Sequence, residues 1–181
     1  MDKPVEEAKS AAFLEEELPR DRALRLGAAR LQSAVAELPL RYAPFFARLA
    51  ELWQLPEPQV LSELARAKSR KAWSFTPLRG LTIFNIARPE RSGMRARLMR
   101  FEPGSHFPKH SHRGRECLLV LEGAYADAAG FEVHAGESQT MSAGSEHELR
   151  ILGTQPCVAA VAEHGIELTS PWLRWANTLL R

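Results

Sequence analysis

The feature that most constrains this chain is a change of composition near residue 70. Residues 1 to about 70 contain no His, no Cys and almost no β-branched residues. Ala, Leu, Glu and Arg dominate there, and these favour helix. From about residue 72 onward lie all six His, both Cys and ten of the eleven Gly. Glycine spaced through short apolar runs marks strands and turns. The chain therefore divides into a helical region over 1–70 and a β region over 71–181. At 181 residues it can hold one ordinary domain or two small ones.

In the first region, residues 1–18 are acidic, with room for one short helix around Phe13 and Leu14. Asp21 suits an N-cap, and Leu24, Ala28, Leu31, Val35 and Leu38 recur at helical steps until Pro39. A second helix fits Phe45, Phe46, Leu49, Leu52 and Trp53, with Pro44 in its first turn. After the Leu55-Pro56 break, Pro58 opens a third, carrying Val60, Leu61, Leu64 and Ala67. Short amphipathic helices need a surface to cover. They pack on each other, on the second region, or on a partner.

The second region alternates. Strands fit 81–86, 94–101, 116–122, 124–128, 131–134, 147–152 and 157–162, and a helix closes the chain over Pro171–Arg181. Many short strands at this spacing suggest a β-sandwich or small barrel. Along 94–101, Met94, Ala96 and Leu98 face one way, and Arg95 and Arg97 face the other. The arginines at 88, 91, 95, 97 and 100 are read as a solvated sheet face, with an acidic partner or anionic ligand as the sharper alternative.

Several classes are excluded. Lys+Arg number 24 and Asp+Glu 22, a net charge of +2, too weak to argue for nucleic acid. No apolar run approaches the ~20 residues that cross a bilayer. Two cysteines are no disulfide framework. The acidic N-terminus resembles no secretory signal, so a cytoplasmic location is expected. No phosphate loop, nucleophile elbow or paired-cysteine zinc motif is present.

The chemistry concentrates in one stretch. Gly104 is followed by His110-Ser111-His112, Glu116 and Gly123. On an extended segment, residues two apart point to one side, so His110, His112 and Glu116 share a parity and can converge. Leu118 and Val120 share it too and would line the interior. A second stretch, Gly136, Ser142, Gly144 and His147, offers a further imidazole. Three His and one carboxylate form a ligand set for a first-row divalent metal, with positions left open for water or a ligand. Cys117, next to Glu116, turns away from the metal and reads as a small buried hydrophobe, like Cys157. His106, His134 and His164 read as loop, structural or exposed, and Tyr125 and Asp127 as hydrogen-bonding groups near the pocket.

These two stretches resemble the paired motifs of the cupin superfamily. The first matches at Gly104, His110, His112, Glu116 and Gly123, and the second at Gly136, Gly144 and His147. Ser142 and Ile151 stand where cupins usually have Pro and Asn. The text between, including His110-Ser-His-Arg-Gly-Arg-Glu116, Leu119-Val-Leu-Glu-Gly123 and Tyr125-Ala-Asp127, is similar to the cupin domain of ChrR-type anti-sigma factors. The resemblance covers roughly residues 95–163. It implies a single cupin-type barrel, mainly β, behind a helical N-terminal region. It implies one divalent metal on His110, His112, Glu116 and His147, zinc by resemblance, with Mn, Fe, Ni, Co or Cu also suited to the donors. It implies a cytoplasmic regulator whose helical region holds a sigma factor and whose metal meets a small molecule or oxidant. A homodimer is expected by analogy with other cupins. The alternative is a metal-dependent dioxygenase or related small-molecule enzyme. The His-x3-Cys-x2-Cys zinc element of the family's helical domain is absent, since no His precedes His106 and no Cys precedes Cys117.

Overall fold

The structure is a computed structural model, and it describes residues 41–87, 93–171 and 177. The helix expected over 21–38 and the acidic segment 1–18 lie outside the described residues. So do Arg88 and Arg91, and all of the closing helix except Pro171 and Asn177.

A 3-10 turn at Ala43–Phe45 leads into helix α1 (Phe46–Trp53), and helix α2 (Glu57–Arg66) follows. Gln54 ends α1 in the left-handed conformation, at φ 54°, and its N–H returns to the carbonyls of Ala50 and Glu51. Pro58 sits in the first turn of α2, where its missing N–H costs nothing. The second and third expected helices are thus present, at nearly the expected bounds.

Eleven strands follow among the described residues. They are β1 (Ser74–Phe75), β2 (Leu81–Asn85), β3 (Arg95–Phe101), β4 (His106–His112), β5 (Glu116–Glu122) and β6 (Ala124–Asp127), then β7 (Glu132–His134), β8 (Ser138–Met141), β9 (Glu146–Ile151), β10 (Cys157–Glu163) and β11 (Ile166–Leu168). They form two antiparallel sheets. The larger has the order β1-β2-β3-β10-β5-β8, and the smaller β11-β4-β9-β6-β7. Strands β1, β4, β8 and β11 were not among those expected. Three are rich in polar residues or very short, and β4 is interrupted by Pro108, so their apolar alternation is faint.

Two apolar layers result. Between the sheets, Ile83, Met99, Phe101, Leu118, Val120, Ala159 and Val161 meet Phe107, Tyr125, Leu149 and Ile151. On the other side of the larger sheet, Ala96, Leu98, Leu119, Leu121, Val158 and Ala160 meet Leu49, Trp53, Val60 and Leu64 of the helices. Strand β10 is buried along its whole length, because each of its faces is covered. Gly123, at φ 70°, links β5 to β6, and a Cβ there would lie 2.5 Å from the Pro156 carbonyl oxygen. Only glycine suits that turn.

Candidate metal centre

Strand β4 delivers His110 and His112 to one face at the two-residue period. Its neighbour β9 places His147 directly across from His110. A register shift between Phe107 and His110 aligns that pair. The three imidazoles come together between the sheets. Their ring centroids are 4.5–5.0 Å apart, and one nitrogen from each lies within 4.8 Å of the others. His110 is 1% exposed, His112 3% and His147 8%.

The ring nitrogens are oriented for a shared guest. His110 Nδ1 lies 3.0 Å from the Pro108 carbonyl oxygen, which assigns the proton to Nδ1 and leaves a lone pair on Nε2. His110 Nε2 is 3.0 Å from His147 Nε2. Neither nitrogen of His112, nor Nδ1 of His147, has a hydrogen-bond partner. A buried polar atom without a partner costs about 1–3 kcal/mol. Burial pushes His110 down to about 3 and His112 down to about 4, with His147 adding to both effects. Burial lowers His147 as well. Neutral imidazoles are what a metal ion needs, and the donor set fits a borderline divalent cation.

Glu116 reaches the cluster by another route than the one expected. Parity along one extended segment does not connect it to His112, because residues 113–115 turn the chain from the smaller sheet to the larger. Glu116 opens β5 on the facing sheet, and its Oε2 lies 3.7 Å from His112 Nδ1. Burial, then the Glu163 carboxylate, raise its carboxyl to about 8, and Arg97 opposes them. Leu118 and Val120 line the inter-sheet space as expected.

The other candidates lie apart. His106 is exposed beside Glu148 at 3.5 Å, His134 beside Glu132 at 3.1 Å, and His164 is exposed with Nδ1 3.0 Å from the Arg115 carbonyl oxygen. Tyr125 is buried, and its hydroxyl donates to Gln139 Oε1 at 2.6 Å. Asp127 accepts from the N–H groups of Ala129 and Phe131, a turn role. Cys117 is half-buried on the other face of the sheet. Cys157 is fully buried, and burial pushes its thiol up to about 12.

The solvated arginine face is corrected at Arg97. Its side chain is buried on the inner face of β3, with Nη1 3.1 Å from Glu163 Oε1. The larger sheet has no solvated face at this point, since the helices cover one side and the smaller sheet the other. Arg97 and Glu163 are thus members of the polar end of the interior that the sequence reading missed. The one signal for Glu163 was an acid closing the apolar run Cys157–Ala162.

A family model described as the ChrR cupin-like domain matches residues 62–167. A chain of the Rhodobacter sphaeroides SigE complex with the anti-sigma ChrR is similar at 25% identity and TM-score 0.51, over 67% of this chain and 64% of that one. An acetylacetone dioxygenase from Acinetobacter johnsonii shares the fold at 13% identity and TM-score 0.51, over 62% of this chain and 89% of the enzyme. An oxalate oxidase in complex with the substrate analogue glycolate matches at 20% identity and TM-score 0.44, over 52% of this chain and 57% of the oxidase. The chain spans less than two thirds of the oxidase and of the chain in the SigE complex. No curated protein matches it. With the matching model covering more than half of its length, the chain belongs to the ChrR cupin-like domain family.

Proposed function

We propose that this protein is a metal-binding regulator of the ChrR type, with one divalent metal held by His110, His112, Glu116 and His147. The observation that carries the reading is the buried three-histidine cluster, whose unpartnered nitrogens converge opposite a carboxylate. Zinc suits the three imidazoles and the carboxylate. When bound on these four groups it would supply a fixed positive charge, and a small molecule or oxidant would act there by adding to or displacing a ligand.

The chain's own residues do the rest. The Pro108 carbonyl orients His110, the inter-sheet side chains exclude bulk water, and Glu116 offsets part of the metal's charge. Region 1–70 is the partner-contacting part, and a sigma factor is the partner that similarity to ChrR supports. Helices α1 and α2 pack directly on the outer face of the larger sheet. A change in the barrel therefore has a short path to them.

Elemental analysis of untagged protein tests the metal. About one equivalent of zinc is expected, falling sharply in His112→Ala while the helices stay folded. An unchanged metal content in that variant would overturn the ligand set. Co-purification with a co-expressed sigma factor tests the partner. Iron or manganese in the protein, with O₂ consumed in a substrate screen, would replace the regulator by an enzyme.

A further inference from the structure

Glu116 is not the only acid on its wall. Directly opposite it on the neighbouring strand stands Glu163, the last residue of β10. Strand β3 brings Arg97 to the same inner face, diagonal to Glu163. Arg97 Nη1 lies 3.1 Å from Glu163 Oε1, and Arg95 Nη1 lies 3.9 Å from the same oxygen. Glu163 is 1% exposed.

Such a pair is a poor source of stability. Desolvating two charges costs as much as their attraction returns, and apolar residues of the same volume often serve as well. Its value lies in what it does to Glu116. Two carboxylates directly across a sheet repel each other. One guanidinium within electrostatic reach of both is contested between them, and Arg97 feels both Glu163 and Glu116. While Glu163 engages Arg97, Glu116 meets His112 across the gap, its Oε2 3.7 Å from His112 Nδ1. With the Glu163 charge removed, Glu116 becomes the carboxylate that Arg97 attracts.

We infer that Glu163 is a positioning residue, which occupies Arg97 and thereby leaves the Glu116 carboxylate turned toward the three-histidine cluster. The inference rests on the proposed metal reading and concerns the direction of one ligand within it.

Cobalt(II) is the probe, because its visible spectrum reports its ligands as well as its affinity. The full chain and three variants are titrated: Glu163→Gln, Glu163→Asp, and Glu163→Gln combined with Arg97→Met. Glu163→Gln is expected to bind cobalt about tenfold more weakly, the scale seen for groups that orient metal ligands, with an altered spectrum. Glu163→Asp keeps the charge and keeps the wild-type spectrum. Removing Arg97 in the Glu163→Gln background restores affinity and spectrum, since Arg97, not Arg95, is the cation that acts on Glu116. A wild-type affinity and spectrum in Glu163→Gln overturns the inference, even if that variant melts at a lower temperature. A double variant that folds but recovers neither affinity nor spectrum overturns it too. Wild-type protein that takes up no cobalt overturns the metal reading and this inference together, whereas wild-type uptake with an indifferent Glu163→Gln overturns this inference alone.

Discussion

The two faces of the larger sheet are buried to the same degree and built differently. On the outer face, β3, β5 and β10 present Ala96, Leu98, Leu119, Leu121, Val158 and Ala160 to the helices. On the inner face the same strands carry Met99, Phe101, Val120 and Ala159 toward one end of the sheet and Arg97, Glu116 and Glu163 at the other. The outer face is a core whose charged groups sit at its margin, such as Arg100 beside Glu102 at 3.1 Å. The inner face carries charge into the interior, at a cost in desolvation that packing alone does not explain. The contrast separates stability from function. One face holds the helices, and the polar end of the other faces the three histidines.

The largest expected effect falls on the outer face. Trp53 is fully buried between the helices and the sheet. Trp53→Ala should lower unfolding free energy by about 3–5 kcal/mol, read by urea denaturation, and leave metal affinity of the folded protein unchanged. A variant that loses metal while still folded would break the separation. Next comes the inner face. His147→Ala should weaken metal binding by more than about a hundredfold, beyond the ~10–100-fold range for an outer partner, while its metal-free melting temperature stays close to wild type. Isothermal titration and thermal melts read the two quantities on one sample.

The third effect is a pH dependence of metal-free stability. His110 and His112 sit near 3 and 4 in the fold against an ordinary 6.5. The unfolded chain therefore binds their protons more readily, and stability falls as pH drops from 6.5 toward 3. Glu116 is raised from 4.5 to about 8, so its contribution is full below 4.5 and is lost as pH rises through 8. Each group contributes a slope of about 1 kcal/mol per pH unit in its own window. Between pH 4.5 and 6.5 two histidine slopes oppose one carboxyl slope, so stability still rises there, and the metal-free protein should be most stable near pH 6.5. Added metal should remove the alkaline decline, because a ligating carboxylate carries no proton. Denaturation at a series of pH values, with and without zinc, measures this. A metal-free optimum above pH 8 would contradict it. The smallest effect is Tyr125→Phe, which removes the hydrogen bond to Gln139 and should cost about 1 kcal/mol with no change in metal affinity.

The sequence showed the candidate metal ligands more clearly than the wall behind them. His110, His112 and His147 stand out because imidazoles are few and their spacing is strict. Seven of the strands were legible from apolar alternation, as were both described helices. Strand β4 was not, since Pro108, Lys109 and three histidines leave no apolar period. The arginines at 95 and 97 misled for a physical reason. Alternation separates two faces but does not say what covers either, and a sheet packed on both sides can hide a charged face as completely as an apolar one.

The sequence by itself determined the two described helices, seven of the strands after them, the double motif, the inward parity of Leu118 and Val120, and the three imidazoles that a cation would need. Those properties are local, set by composition, period and spacing. Only the tertiary structure decided that Glu116 approaches His112 from the opposite sheet, that Arg97 is buried, and that Glu163 stands between Arg97 and Glu116. These depend on strand pairing and on which layers stack. Residues 97, 116 and 163 are far apart in the chain, and antiparallel pairing of β3, β10 and β5 makes them neighbours.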